Sequence, residues 1–149
     1  MIAENLAQAK AAQIARVSAG YVLGCDQVVA LGNTILTKPS DQDDATRQLR
    51  QLSGHDHVLF SAAVLYLDGM RVWSGVGCVT MQMHELSREY IDSYVRRNWE
   101  SIRHSVGCYK LEEEGVRLFS AVTGDYFHVL GLPLIQLLSY LADRGDLER

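Results

Sequence analysis

Cysteine is scarce in this sequence and badly placed for cross-linking: Cys25, Cys78 and Cys108 are odd in number, widely spaced and form no CxxC pair. That argues against a disulfide framework and a structural zinc site, and it fits a reducing cytosol. Excess positive charge is missing too. A net charge of −4 and a pI near 5.7 leave no basic footprint for a nucleic-acid polymer, whereas a single nucleotide needs only a few local cations and a metal. The N-terminal MIAENLAQAK has an early acid and no continuous apolar run, so it reads as neither signal peptide nor membrane span, and a soluble, cytoplasmic chain is expected. P-loop, GxGxxG, GxSxG and HExxH signatures are absent, as are repeats, linkers and low-complexity segments.

What is present suits one globular domain over residues 1–149: 48% of the residues are hydrophobic and 21% charged, with length enough to bury a core unaided. Ile2, Leu6, Ala9, Ile14 and Val17 recur at helical spacing and predict a helix with that face on the core. Lys10 falls inside this stripe, where a lysine either snorkels or finds an anion. Tyr21–Leu23 and Val28–Leu31 read as strand, with Gly32-Asn33 turning into Thr34–Leu36. Ser40 and Asp43 form a capping box for a helix whose buried face is Ala45, Leu49 and Leu52 and whose end is Gly54.

The run Val58–Leu67 is apolar enough to be a central strand, and Asp68-Gly69 turns it into an antiparallel partner over Val72–Met83. Ser87 caps a helix through about Arg97, and Leu86 and Ile91 are placed as a hydrophobic staple. Val116–Val122 reads as strand and Gly124-Asp125 as turn. Pro133 opens a last helix with Leu134, Leu137, Leu138 and Leu141 inward and Gly145 at its end. Helices interleave with strands, and two connections are hairpins, so the class is α/β with a mixed β-sheet flanked by helices.

Three places could carry chemistry. Asp26 closes an apolar strand, where an ionised carboxylate must be solvated, hydrogen-bonded or paired; it is either a structural acid or a catalytic one. Lys38, held extended by Pro39, suits a phosphate contact or solvent equally. In Lys110-Leu-Glu112-Glu113-Glu114-Gly115, one inward acid could accept from a base edge or help hold a divalent ion; a solvated loop is the alternative. His55 and His57 share a strand face, but no third metal ligand accompanies them.

In order and spacing, LAQAKA (6–11), YVLGCDQVV (21–29), ILTKP (35–39), LRQLSG (49–54), ELSREYIDSYV (85–95), VGCYKLEEEGVRLF (106–119) and TGDYFHVLGLPL (123–134) resemble the Maf family of house-cleaning nucleoside triphosphate pyrophosphatases. The resemblance implies a Maf/ITPase-like fold and hydrolysis of a nucleoside triphosphate to the monophosphate and pyrophosphate with Mg²⁺ or Mn²⁺. It implies that Asp26 is the proton acceptor and metal-facing acid, that Lys10 and Lys38 face the phosphates, and that Gln27 and Glu112 bear on base preference. Glutamine and glutamate there are similar to the 7-methyl-GTP branch, threonine and glutamine to the dTTP/UTP branch. A carboxylate suits the two donors on guanine's Watson–Crick edge.

Family members begin with a strand and an SxSPRR loop that precede the Lys10 helix with which this chain starts. An N-terminally truncated fold with impaired hydrolysis is therefore expected, or a non-catalytic nucleotide-binding or interaction module. Homodimers are common in the family, and an uncovered strand edge would favour self-association.

Overall fold

A computed structural model describes all residues, 1–149. In chain order the elements are α1 (Ile2–Ala15), β1 (Tyr21–Leu31), β2 (Thr34–Leu36), α2 (Gln42–Leu52), β3 (Asp56–Leu67), β4 (Met70–Met83), α3 (Arg88–Ile102), β5 (Phe119–Thr123), α4 (Tyr126–Leu130) and α5 (Leu134–Arg144). Two short 3₁₀ turns, Val106–Cys108 and Glu114–Leu118, lie between α3 and β5. The strands form one sheet in the order β2-β1-β3-β4-β5, so the α/β class with a central apolar strand β3 is as expected. The β1–β2 and β4–β5 pairs are antiparallel, with Leu31 opposite Thr34 across the Gly32-Asn33 turn.

The chain divides into two compact units, the first made of Met1–Gln27, Phe60–Cys78 and Asp125–Arg149, the second of Val28–Leu59 and Val79–Gly124.

In the first unit, α1 turns a different face inward from the one its large apolar residues predict. Ala3, Ala7, Ala11 and Ala15 are buried, whereas Leu6 is 45% and Val17 83% exposed. The cause lies on β1: a Cβ added to Gly24 would sit 2.3 Å from the Ala7 carbonyl oxygen and 2.7 Å from the Ala11 Cβ. Helix and strand backbones approach so closely that only an alanine row fits between them. Lys10 is therefore not embedded in an apolar stripe; it is an exposed residue beside the alanine face.

β1 runs unbroken through Gly24-Cys25-Asp26, correcting the two separate strands and placing Asp26 mid-strand rather than at a tip. The acid does not end the strand because both its oxygens have partners, one from the neighbouring residue and one from α1, as described below. At the other end of this unit, Gly124-Asp125 is more than a turn. Asp125 caps the short helix α4 by accepting from the Phe127 N–H at 2.8 Å. In α5 only Leu137 is buried; Leu134 and Leu141 are half-buried and Leu138 is exposed, so its inward stripe is narrower than expected.

In the second unit the α2 cap falls one residue later than Ser40. Asp41 accepts from the Asp44 N–H at 2.7 Å, while Asp44 accepts from the Ser40 N–H at 3.0 Å, a reciprocal box built from two carboxylates. Ala45, Leu49 and Leu52 are buried as predicted. Ser87 caps α3 by accepting from the Tyr90 N–H at 3.1 Å, and the helix runs past Arg97 to Ile102. Residues 116–118 are 3₁₀ rather than strand, because Glu114 is tied to Arg97 and Asn98 of α3 and holds the chain in a turn.

His57 is 1% exposed in this core, its Nε2 2.9 Å from the Tyr109 hydroxyl and its Nδ1 without a partner. It is no half of a metal pair with His55, whose Nδ1 lies 2.8 Å from the Ser53 carbonyl outside the strand. Burial pushes the His57 imidazole down from 6.5 to about 4, with Asp56 opposing weakly. The folded state thus resists a proton that the unfolded state accepts. Stability should be full above pH 6.5, fall as pH drops toward 4, and gain no further loss from this group below that. The total is on the order of 3 kcal/mol. Urea midpoints at pH 7 and 5 should differ markedly in the wild type and much less in His57→Gln, which keeps a partner for Tyr109 without titrating there.

Candidate active site

The first unit brings two of the predicted residues together. Lys10 Nζ lies 2.8 Å from Asp26 Oδ2, with side-chain exposures of 56% and 16%. The other oxygen, Oδ1, accepts the main-chain N–H of Gln27 at 2.8 Å. Lys10 also donates to the Cys25 carbonyl at 3.4 Å, so the ammonium sits over the strand rather than waving in solvent. A mostly buried carboxylate with a cation on one oxygen and an N–H on the other has a fixed orientation.

Gln27 leaves the strand on the opposite side. Successive residues of a strand point to opposite faces, and the contacts agree: Asp26 meets α1, Gln27 meets α4. Its Nε2 lies within 3.0 Å of Ser61 Oγ, 3.1 Å of the His128 carbonyl and 3.0 Å of the Val129 carbonyl. Nearby, the buried His128 ring covers Gly77, where an added Cβ would lie 2.1 Å from it. Neither ring nitrogen has a hydrogen-bond partner, and Asp125 Oδ2 is 3.7 Å from Nε2. Sequence reasoning missed Ser61 and α4. The one available signal was a small hydroxyl residue inside the apolar run of β3.

The remaining predicted residues belong to the second unit. Lys38 is exposed between β2 and α2, ahead of the buried Pro39, and its side chain has no hydrogen-bond or ion-pair partner. Among the three acids, Glu114 takes Arg97 at 2.5 Å and Asn98 at 2.7 Å, and these bonds hold its carboxyl below the usual range. Glu113 takes Ser101 at 2.6 Å. Glu112 is exposed and uncommitted, so it alone in the run is free to meet a ligand.

No three His, Cys, Asp or Glu side chains gather into a metal cage. Asp26 supplies a single carboxylate. That donor set fits Mg²⁺ or Mn²⁺ carried by phosphates and water, which needs only one or two protein carboxylates, and does not fit a resident ion held by protein alone. All three cysteines are free; burial raises the thiols of Cys25 and Cys108, the latter to about 12, so neither is primed as a nucleophile.

A family model described as Maf-like protein matches residues 1–144. The nucleoside triphosphate pyrophosphatase of Roseobacter denitrificans (strain ATCC 33942 / OCh 114) is 57% identical over 149 residues, covering 99% of this chain and 75% of that protein. The protein of the same name from Ruegeria sp. (strain TM1040) is 50% identical with the same coverage. The 7-methyl-GTP pyrophosphatase of Brucella abortus biovar 1 (strain 9-941) is 42% identical over 141 residues, 94% of this chain and 71% of that protein.

Proposed function

This chain belongs to the Maf family, and we propose on that premise that it hydrolyses a nucleoside triphosphate to the monophosphate and pyrophosphate. The reading rests above all on the 2.8 Å pair between Lys10 and Asp26. Water adds its oxygen to the α-phosphorus, the bond from that phosphorus to the oxygen bridging the β-phosphate breaks, and pyrophosphate leaves with the electron pair. Asp26 accepts the water proton. The Gln27 N–H on Oδ1 fixes the carboxylate's plane, so that Oδ2 is the oxygen offered. Lys10, long and half-exposed, turns from Asp26 to the phosphates once they arrive, and Lys38 offers a second ammonium with no competing partner. A divalent ion held by Asp26, phosphates and water would offset charge on the leaving group. No helix is long and apolar enough to cross a membrane, and we place the reaction in the cytoplasmic nucleotide pool.

For the base we propose 7-methylguanine, supported by the uncommitted Glu112 carboxylate and by the name of the Brucella relative. Glu112 would accept from N1–H and the amino group, and its charge would favour the methylated, cationic ring. Gln27 has committed its amide nitrogen, so any direct contact it makes with a base is through its oxygen. Pyrophosphate release measured on 7-methyl-GTP, GTP, dTTP and UTP tests this. The methylated nucleotide should lead, and Glu112→Gln should cut its kcat/KM advantage over UTP by about tenfold. A wild type that prefers dTTP or UTP would replace the guanine reading with a pyrimidine one.

A further inference from the structure

We propose that Ser61 is a positioning residue for the Asp26 carboxylate, acting from the far face of the sheet through Gln27. The inference rests on the reading of Asp26 given above.

The argument starts from α4. This helix has only five residues and leaves carbonyls at its C-terminal end without helical partners. One of them, on Val129, accepts from Gln27 Nε2 at 3.0 Å, and the His128 carbonyl, which also takes the Gly131 N–H of the C-cap at 3.2 Å, accepts from it at 3.1 Å. Ser61, fully buried on β3, completes the arrangement: its hydroxyl donates to the His128 carbonyl and accepts from Gln27 Nε2 at 3.0 Å. An amide NH₂ has two protons, and here three acceptors surround it, which leaves the Gln27 side chain one orientation. A buried network with every donor engaged is rigid, and a partly satisfied one is not.

That rigidity reaches the opposite face through the main chain. The peptide N–H of Gln27 donates to Asp26 Oδ1 at 2.8 Å, and Oδ2 is thereby presented to Lys10 at 2.8 Å. The direction of this N–H follows the backbone at position 27, and that backbone is held by a side chain anchored in Ser61 and α4. Removing the Ser61 hydroxyl leaves the His128 and Val129 carbonyls for the two amide protons but takes away the third acceptor that limits the amide to one orientation, and with it the only side-chain hydroxyl on the His128 carbonyl. The peptide between residues 26 and 27 gains freedom, and the carboxylate loses its fixed plane. Displacements of a catalytic group far smaller than its size are costly to rate while leaving ground-state binding intact.

Two variants of the full chain test this, Ser61→Ala and Gln27→Met, each read in two ways. Hydrogen exchange of the main-chain amide at position 27 should speed by about tenfold or more in both, while amides in α2 and α3 keep their wild-type rates. In steady state kcat should fall by about tenfold in both, and in Ser61→Ala, which leaves the Gln27 side-chain oxygen in place, KM should stay within about twofold. An exchange rate at position 27 unchanged in Ser61→Ala overturns the proposal, as does a rise in KM with kcat intact. Asp26→Asn run alongside separates the two readings: if it retains full turnover, Asp26 is not the proton acceptor, whereas exchange still decides whether Ser61 holds the peptide.

Discussion

Asp26→Asn is expected to lower kcat by about 10²- to 10⁴-fold, the range that a positioned general base contributes. The substitution keeps shape and keeps an oxygen to accept the Gln27 N–H, so the strand and its register should persist. What it removes is the proton acceptor and the partner of Lys10. Because the Lys10 side chain is 56% exposed, that ion pair contributes at most about 1 kcal/mol to stability. Thermal unfolding should therefore change by only a few degrees while turnover collapses. The separation of those two effects distinguishes a reacting carboxylate from a structural one. Lys10→Ala should behave differently: it leaves the acceptor in place, so part of the loss should fall on KM.

The second large effect concerns the packing that brings Lys10 to Asp26. Gly24→Ala should destabilise the protein by about 1–3 kcal/mol, the range for forcing an extra methyl into a tight core. The new Cβ would meet the Ala7 carbonyl oxygen at 2.3 Å and the Ala11 Cβ at 2.7 Å, so the first turns of α1 must lift from β1. Ala11→Gly in the same chain should restore little, since the nearer obstacle is main chain and cannot be trimmed. Lifting α1 also carries Lys10 away from Oδ2, so the variant should lose activity beyond what its remaining folded fraction explains. Circular dichroism melts and pyrophosphate release on the same samples check both statements. Stability and rate both at wild-type values would mean that α1 has slack at Gly24.

Much of the frame was readable before any coordinates. Turn chemistry placed both hairpins: Gly32-Asn33 and Asp68-Gly69 each connect neighbouring strands. Local hydrogen-bonding chemistry likewise placed the Ser87 cap and the Gly145 terminus. Such signals survive because each is decided within three or four residues of chain. The ordered motifs also placed Lys10 and Asp26 in one family pattern, and the geometry puts them in contact.

What escaped was decided between distant segments. On α1 the large apolar residues outscore alanine in any periodicity, yet the buried face is alanine because Gly24, on another element, lets the backbones close in. Asp26 read as a strand end because an unpaired acid ought to stop a buried strand, and its pairing with Lys10 is sixteen residues away. α4, which follows the Gly124-Asp125 turn, has no sequence signature of its own, since five residues are too few for a helical pattern. With α4 unseen, the amide of Gln27 had no visible destination, and Ser61 passed as one more small residue in an apolar run.

The most direct test is product analysis after incubating a nucleoside triphosphate and Mg²⁺ or Mn²⁺ with the purified chain and with Asp26→Asn. Equimolar monophosphate and pyrophosphate from the wild type, with almost none from the variant, is the outcome predicted. Diphosphate with orthophosphate as the products, or equal turnover by both proteins, would contradict the assignment of Asp26 to cleavage between the α- and β-phosphates.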